Sequence, residues 1–129
     1  MISLFYLALL ILLYLVITFH VIGYRLTKRV AYGDGKVIEL KRLRSAHDNF
    51  SAYTSLFCLL MFGVEFYKIV SPTVLHFLGV SYLLSRILHY CSLAFLEAHG
   101  IFKVRTLSML ITTSLMLGLA TTIMLSFFS

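Results

Sequence analysis

Arginine, histidine and asparagine side chains set within or at the edge of long apolar runs are the residues of this chain best placed to do chemistry. Arg86 is the strongest of them. It lies eleven residues before Glu97, roughly 16 Å along a helix axis, too deep for an easy reach to the aqueous surface. A charged residue at the centre of a membrane-spanning helix costs roughly 2.5–3.5 kcal/mol on insertion scales, so such a residue needs a partner or a water-filled pocket. Positions 86, 89, 90 and 93 share a helix face, which lets Arg86, His89 and Tyr90 point into one polar site. The plainer alternative pairs Arg86 with Asp48 or Glu65 to lock helices together.

A second group stands where the chain enters its second apolar run. Ser45, Asp48, Asn49 and Ala52 lie on adjacent turns of one face, with Arg44 and His47 one step around. Taken singly, Asp48 is the expected i+4 partner of Arg44, and His47 an interfacial histidine. Arg105 opens the fourth run, as a positively charged residue fixing topology on the plain reading and as a binder of an anion or thiolate on the sharper one. Together Arg44, Asn49, Arg86 and Arg105 describe a cationic, hydrogen-bonding pocket that opens to the cytoplasm and suits a small anionic ligand. His20 and His76 stand alone and read as packing or interfacial residues. The five histidines show no metal-ligand spacing, so no metal site is expected. No phosphate loop, nucleophile elbow or dinucleotide fingerprint occurs.

The elements that must hold these residues follow from composition. Of 129 residues, 60% are apolar and 12% charged, with a mean hydropathy of +0.97, which excludes an ordinary soluble domain and indicates the membrane class. Four apolar runs at about 1–24, 40–67, 72–96 and 102–128 are each long enough to cross some 30 Å of hydrocarbon. Backbone groups in lipid must be satisfied within their own segment, so the runs predict helices and an all-α four-helix membrane bundle. Without an internal repeat or linker, 1–129 reads as a single domain. Ser71-Pro72 is a helix start and Gly100 a helix stop. Cys58 and Cys91 lie inside apolar runs and read as packing residues.

The formal charge of +6 is concentrated between the first two runs, where Arg25, Lys28, Arg29, Lys36, Lys41, Arg42 and Arg44 are offset only by Asp34 and Glu39. A basic loop flanked by spans reads as cytoplasmic, not as a nucleic-acid site, and it sets both termini outside the cytoplasm. Small residues Gly79 and Ser85 on the third helix, and Ser108, Thr112, Ser114, Gly118 and Thr122 on the fourth, permit close helix approach, within the chain or between copies of it.

The stretch Arg29-Val-Ala-Tyr-Gly-Asp-Gly35, then Glu39-Leu40, His47-Asp-Asn49-Phe and Tyr53, resembles the membrane-associated eicosanoid and glutathione metabolism (MAPEG) family, and looks closest to its bacterial inner-membrane branch. Arg86-Ile-Leu-His89-Tyr90 is similar to that family's third-helix signature. The resemblance implies a homotrimer in the bacterial inner membrane that binds glutathione between protomers, in the cytoplasmic half of the bilayer. Asn49, Arg86 and His89 would be glutathione contacts, with Arg44, His47 and Tyr90 beside them. Arg105 would match the arginine that stabilises the glutathione thiolate in catalytic members. The implied activity is a glutathione-dependent transferase or peroxidase, acting on a small apolar electrophile or a lipid hydroperoxide that arrives from the surrounding membrane lipids. Ser45 and Ala52 stand where the family signature has an arginine and a glutamate, which leaves open a non-catalytic scaffold that holds a lipid or another small anion in the inter-subunit cleft.

The charge asymmetry makes a direct prediction. In a chain freed of Cys58 and Cys91, a cysteine placed at Ser71 should react with an impermeant maleimide from outside intact spheroplasts. One placed at Lys36 should react only after the membrane is opened, and the reverse pattern would invert the topology.

Overall fold

The computed structural model describes residues 1–129. It forms α1 (Ile2–Lys28), α2 (Ile38–Phe66), α3 (Pro72–Cys91) and α4 (Lys103–Ser126). Between α3 and α4 the chain continues through a π-helical turn, Ser92–Leu96, and a 3-10 turn, Glu97–His99. The four helical segments, counting Pro72–His99 as one, are each long and apolar enough to span a membrane. The helices form an all-α bundle in which α2 and α3 each touch every other helix, while α1 and α4 do not meet.

Apolar spacing explains the bundle. On α2 the buried residues Leu43, Ala46, Phe50, Thr54, Phe57, Met61 and Val64 recur at three- and four-residue intervals. Leu75, Gly79, Tyr82, Arg86 and His89 do the same on α3. This is the seam pattern of helices that pack along their length. The seam changes character along its length: the half toward the α2–α3 turn, its outer half in the sense of the bundle end where Glu65 meets the start of α1, is apolar, centred on Phe57 stacked on Tyr82 with ring centroids 3.7 Å apart. Its inner half carries the buried polar residues Ser85, Arg86, His89, Ser108 and Thr112. Leu59, Phe77 and Leu117 are among the large apolar residues left exposed, as suits surfaces that meet lipid or another copy of the chain.

Helix ends differ slightly from the sequence expectation. α1 runs one turn past Tyr24, through Arg25 and Lys28, because cations are favourable at a helix C-terminus and Arg29 closes the helix in the left-handed region (φ 55°). Ser71 caps α3, its Oγ accepting from the Val74 amide at 3.4 Å, with Pro72 in the first turn. Gly100 ends the third helical segment with φ 77°. α1 has no capping side chain of its own. The Glu65 carboxylate supplies one from α2, accepting from the Ile2 amide at 2.5 Å, the Ser3 amide at 2.8 Å and the Ser3 hydroxyl. A carboxylate there satisfies free N–H groups and opposes the positive end of the helix dipole.

Several small residues considered above for contacts between copies are used inside the chain. Gly79 lies under the Tyr6 ring, where an added Cβ would stand 2.3 Å from Tyr6 Cδ2. The ring is held in place by its hydroxyl, 3.0 Å from His76 Nδ1, so His76 is not isolated. Ser85 and Thr112 join α3 to α4 through their hydroxyls, 3.1 Å apart. Overpacking of this kind costs about 1–3 kcal/mol, which exceeds the helix-propensity gain of about 1 kcal/mol from replacing glycine. Gly79→Ala should therefore lower the unfolding midpoint in detergent, followed by circular dichroism. Gly118→Ala, with nothing within 4 Å of the new Cβ, should leave the midpoint unchanged or raise it.

Candidate functional site

Arg86 is the centre of the inner polar region. α3 places it in the seam, 1% exposed, and its partners come from two other helices. Nη1 donates to Asn49 Oδ1 on α2 at 2.7 Å. Nη2 donates to Thr112 Oγ1 on α4 and lies 3.6 Å from Met109 Sδ. The guanidinium carbon stands 5.6 Å from the centroid of the Tyr82 ring, within cation–π range. Thr112 donates onward to the Ser108 carbonyl at 2.9 Å. Arg86 Nε has no partner, and no carboxylate pairs with the guanidinium. The alternative pairing with Asp48 or Glu65 is thus not formed: Asp48 is exposed beside His47, and Glu65 is committed to the start of α1 at the opposite end of α2. Polar but neutral groups from α2 and α4 surround a charge that stays uncompensated within the chain.

The other residues divide around this centre. His89, one turn on, is buried and on the same seam. Tyr90 departs from the expected shared site, because its hydroxyl turns to α1 and lies 2.6 Å from His20 Nδ1, with Phe95 stacked on the His20 ring. His20 is therefore a partner of Tyr90 and not an isolated packing residue. His47 also faces α1, its ring 4.9 Å from that of Tyr14 and its Nδ1 3.6 Å from Asp48 Oδ1; two positions along the helix put it about 200° round from Asn49, on the opposite side. Arg44 is half-buried and forms no ion pair, and the expected Arg44–Asp48 pair is absent. Ser45 and Ala52 lie on the exposed face of α2. Arg105, at the start of α4, is not a free cation: its Nη1 stands 3.0 Å from Glu97 Oε1 and donates to Oε2 at 3.3 Å.

Three features were not anticipated from the sequence. Thr112 as a partner of Arg86 had a usable signal, since positions 108, 112, 115 and 119 form the inward stripe of α4, whereas Met109, its other partner on α4, lies outside that stripe. The Tyr90–His20 contact joins residues seventy positions apart and had none. Glu97 reads as an ordinary residue of a helix end until its buried contact with Arg105 is seen.

The chain belongs to the MAPEG family, whose model matches residues 3–125. At the level of the family this makes it an integral membrane protein of a glutathione-associated class that includes transferases and peroxidases and is generally oligomeric. A search of curated proteins finds no match.

The Arg86 network can be tested through Asn49, its partner on α2. Removing a neutral hydrogen-bond partner of a buried charge costs about 1.5–3 kcal/mol, while replacing the whole group by apolar residues is often close to neutral. Asn49→Leu should destabilise the protein in detergent by that order, and Asn49→Leu combined with Arg86→Met should recover most of the loss. A double variant as unstable as the single one would show that Arg86 is not what Asn49 supports.

Proposed function

We propose that this protein is a membrane-embedded glutathione-dependent transferase or peroxidase that acts as a homotrimer on a small apolar electrophile or a lipid hydroperoxide. The observation that carries the reading is the buried Arg86 guanidinium, held by Asn49 and Thr112 with no counter-charge and one N–H unused. A fixed cation of this kind is an attractive site for a carboxylate, and charge-assisted hydrogen bonds are about twice as strong as neutral ones. Asn49 gives its carbonyl oxygen to Arg86, which leaves its amide N–H groups for a ligand. His89 makes no hydrogen bond within the chain and is available beside it. Tyr90, tied to His20, and His47, stacked on Tyr14, border the site rather than reach into it. Arg44, without an ion-pair partner, adds positive charge at the cytoplasmic edge. The remaining surface of the site would come from a neighbouring copy, in the cytoplasmic half of a bacterial inner membrane with both termini on the far side.

In this reading Arg105 favours the ionised thiol, because an adjacent guanidinium lowers a thiol's pKa and the thiolate is the nucleophile. With an electrophile, the thiolate sulfur forms a carbon–sulfur bond as the leaving group departs with the bonding pair, or as a proton is taken up at the adjoining atom. With a hydroperoxide, the sulfur attacks the terminal oxygen, the O–O bond breaks and an alcohol leaves after protonation. A second glutathione then converts the sulfenic acid to disulfide and water.

A second reading has its own support. Ser45 and Ala52, exposed on α2, offer neither the guanidinium nor the carboxylate of the family signature, which favours a non-catalytic scaffold holding a lipid or another small anion. Calorimetric titration of glutathione into the detergent-solubilised protein separates the two. Saturable binding lost in Arg86→Leu, with thiol-dependent turnover of a chloronitrobenzene or cumene hydroperoxide that falls about a hundredfold in Arg105→Ala, is the outcome expected of the enzyme. Absence of binding at millimolar glutathione would overturn it in favour of the scaffold, and equal turnover in Arg105→Ala would remove that residue's role.

A further inference from the structure

The arginine assigned above to the thiolate already has an anion on it. Glu97 is the first residue of the 3-10 turn that follows the π-helical turn, and its side chain is 5% exposed while that of Arg105 is 46% exposed. The two make the chain's close Arg–carboxylate contact, 3.0 Å from Nη1 to Oε1. Glu97 lies four residues after Leu93, so the two share one face of the chain, and both are buried. A glutamate on the surface would have left Arg105 open to the solvent. Instead a carboxylate fills the position that a ligand's anion would take.

We propose that Glu97 is a displaceable counter-anion for Arg105: it neutralises the guanidinium when the site is empty and swings aside when a ligand's thiolate binds there. It thereby sets how strong an anion the site accepts. The inference rests on the glutathione reading given above. Two features of the chain make the swing short. Glu97 Oε1 makes no hydrogen bond of acceptable geometry despite its closeness to Arg105, so the carboxylate is only partly committed. Ala98, His99 and Gly100 are all exposed, so a displaced carboxylate meets water within a few ångströms of backbone movement rather than remaining as an unpaired buried charge. A neutral thiol or hydroxyl gives Arg105 less than the ion pair it would replace, whereas an anion gives as much or more. Arg86 lacks any such resident group, so the two arginines of the site differ in kind: one is ready for an anion and one is guarded.

The test compares titrations of glutathione and of S-methylglutathione, which has no ionisable thiol, into the wild type and Glu97→Gln. Loss of the resident charge should tighten glutathione binding about tenfold and S-methylglutathione binding by less than threefold. A residue that only holds Arg105 in position would give the opposite sign, so equal or weaker glutathione binding in Glu97→Gln overturns the proposal. An equal gain for both ligands also overturns it, because the thiolate would not be the group that competes. If Glu97→Gln does not fold, Glu97→Asp keeps the charge but shortens its reach; several-fold tighter glutathione binding is then expected, and unchanged or weaker binding is contrary. Failure of both proteins to bind glutathione removes the glutathione reading and this inference together. Wild-type binding that Glu97→Gln leaves unchanged removes only the role of Glu97.

Discussion

A guanidinium enclosed by helices that themselves lie in hydrocarbon has no water to fall back on, and the inner half of this bundle is organised by that constraint. Arg86 draws an amide from α2, a hydroxyl and a thioether from α4 and the face of an aromatic ring from its own helix. Each is a dipole or polarisable group, and none is a charge. Because three helices contribute, none can shift along its axis without uncovering the cation. The small side chains of Ser85, Ser108 and Thr112, all fully buried, let α3 and α4 approach closely enough to close over it. Above this layer the same seam passes to Phe57, Met61, Val64 and Tyr82, where the one polar group, the Tyr82 hydroxyl, is met by Thr54 at 3.2 Å and packing sets the spacing. A polar inner half and an apolar outer half are thus consecutive stretches of one repeating pattern.

How much of this was legible in the sequence depends on the range of the interaction concerned. Spans, loops, the Ser71 cap and the Gly100 stop are local properties, and a lipid solvent removes most of the alternatives. The family resemblance of the motifs around Asn49 and Arg86 was also legible, and the family match confirms it. The partners of Arg86 were not. An acidic residue is the obvious companion for a buried cation, but Asp48 is carried out to the surface by its place on α2, and Glu65 is drawn to the amides that begin α1. Likewise 86, 89 and 90 were expected to act as one group. Only a knowledge of where α1 sits shows that the Tyr90 hydroxyl has a nearer acceptor in His20. Pairings across helices depend on rotation about each helix axis, which spacing along a single helix does not determine.

α1 is held mainly at its two ends and along one face. Glu65 fastens its start, His20 and Tyr90 meet near its inner end, and Tyr6 and Ile17 fill the seam between them. It never touches α4, so the two outer helices act on the Arg86 region from separate sides: α4 supplies ligands to the cation, and α1 shapes the aromatic border made by Tyr90 and Phe95.

The π-helical turn at Ser92–Leu96 has a consequence for how this chain is to be compared with others. Such a turn accommodates one residue more than an α-helix of equal rise. In a relative whose third helix is regular throughout, positions matched on the motif at Arg86 would fall out of step with those matched on Arg105 by that single residue. An alignment drawn without a gap there would pair Glu97 with a neighbour of its true counterpart, and would hide whether the carboxylate facing the fourth helix is peculiar to this protein or shared.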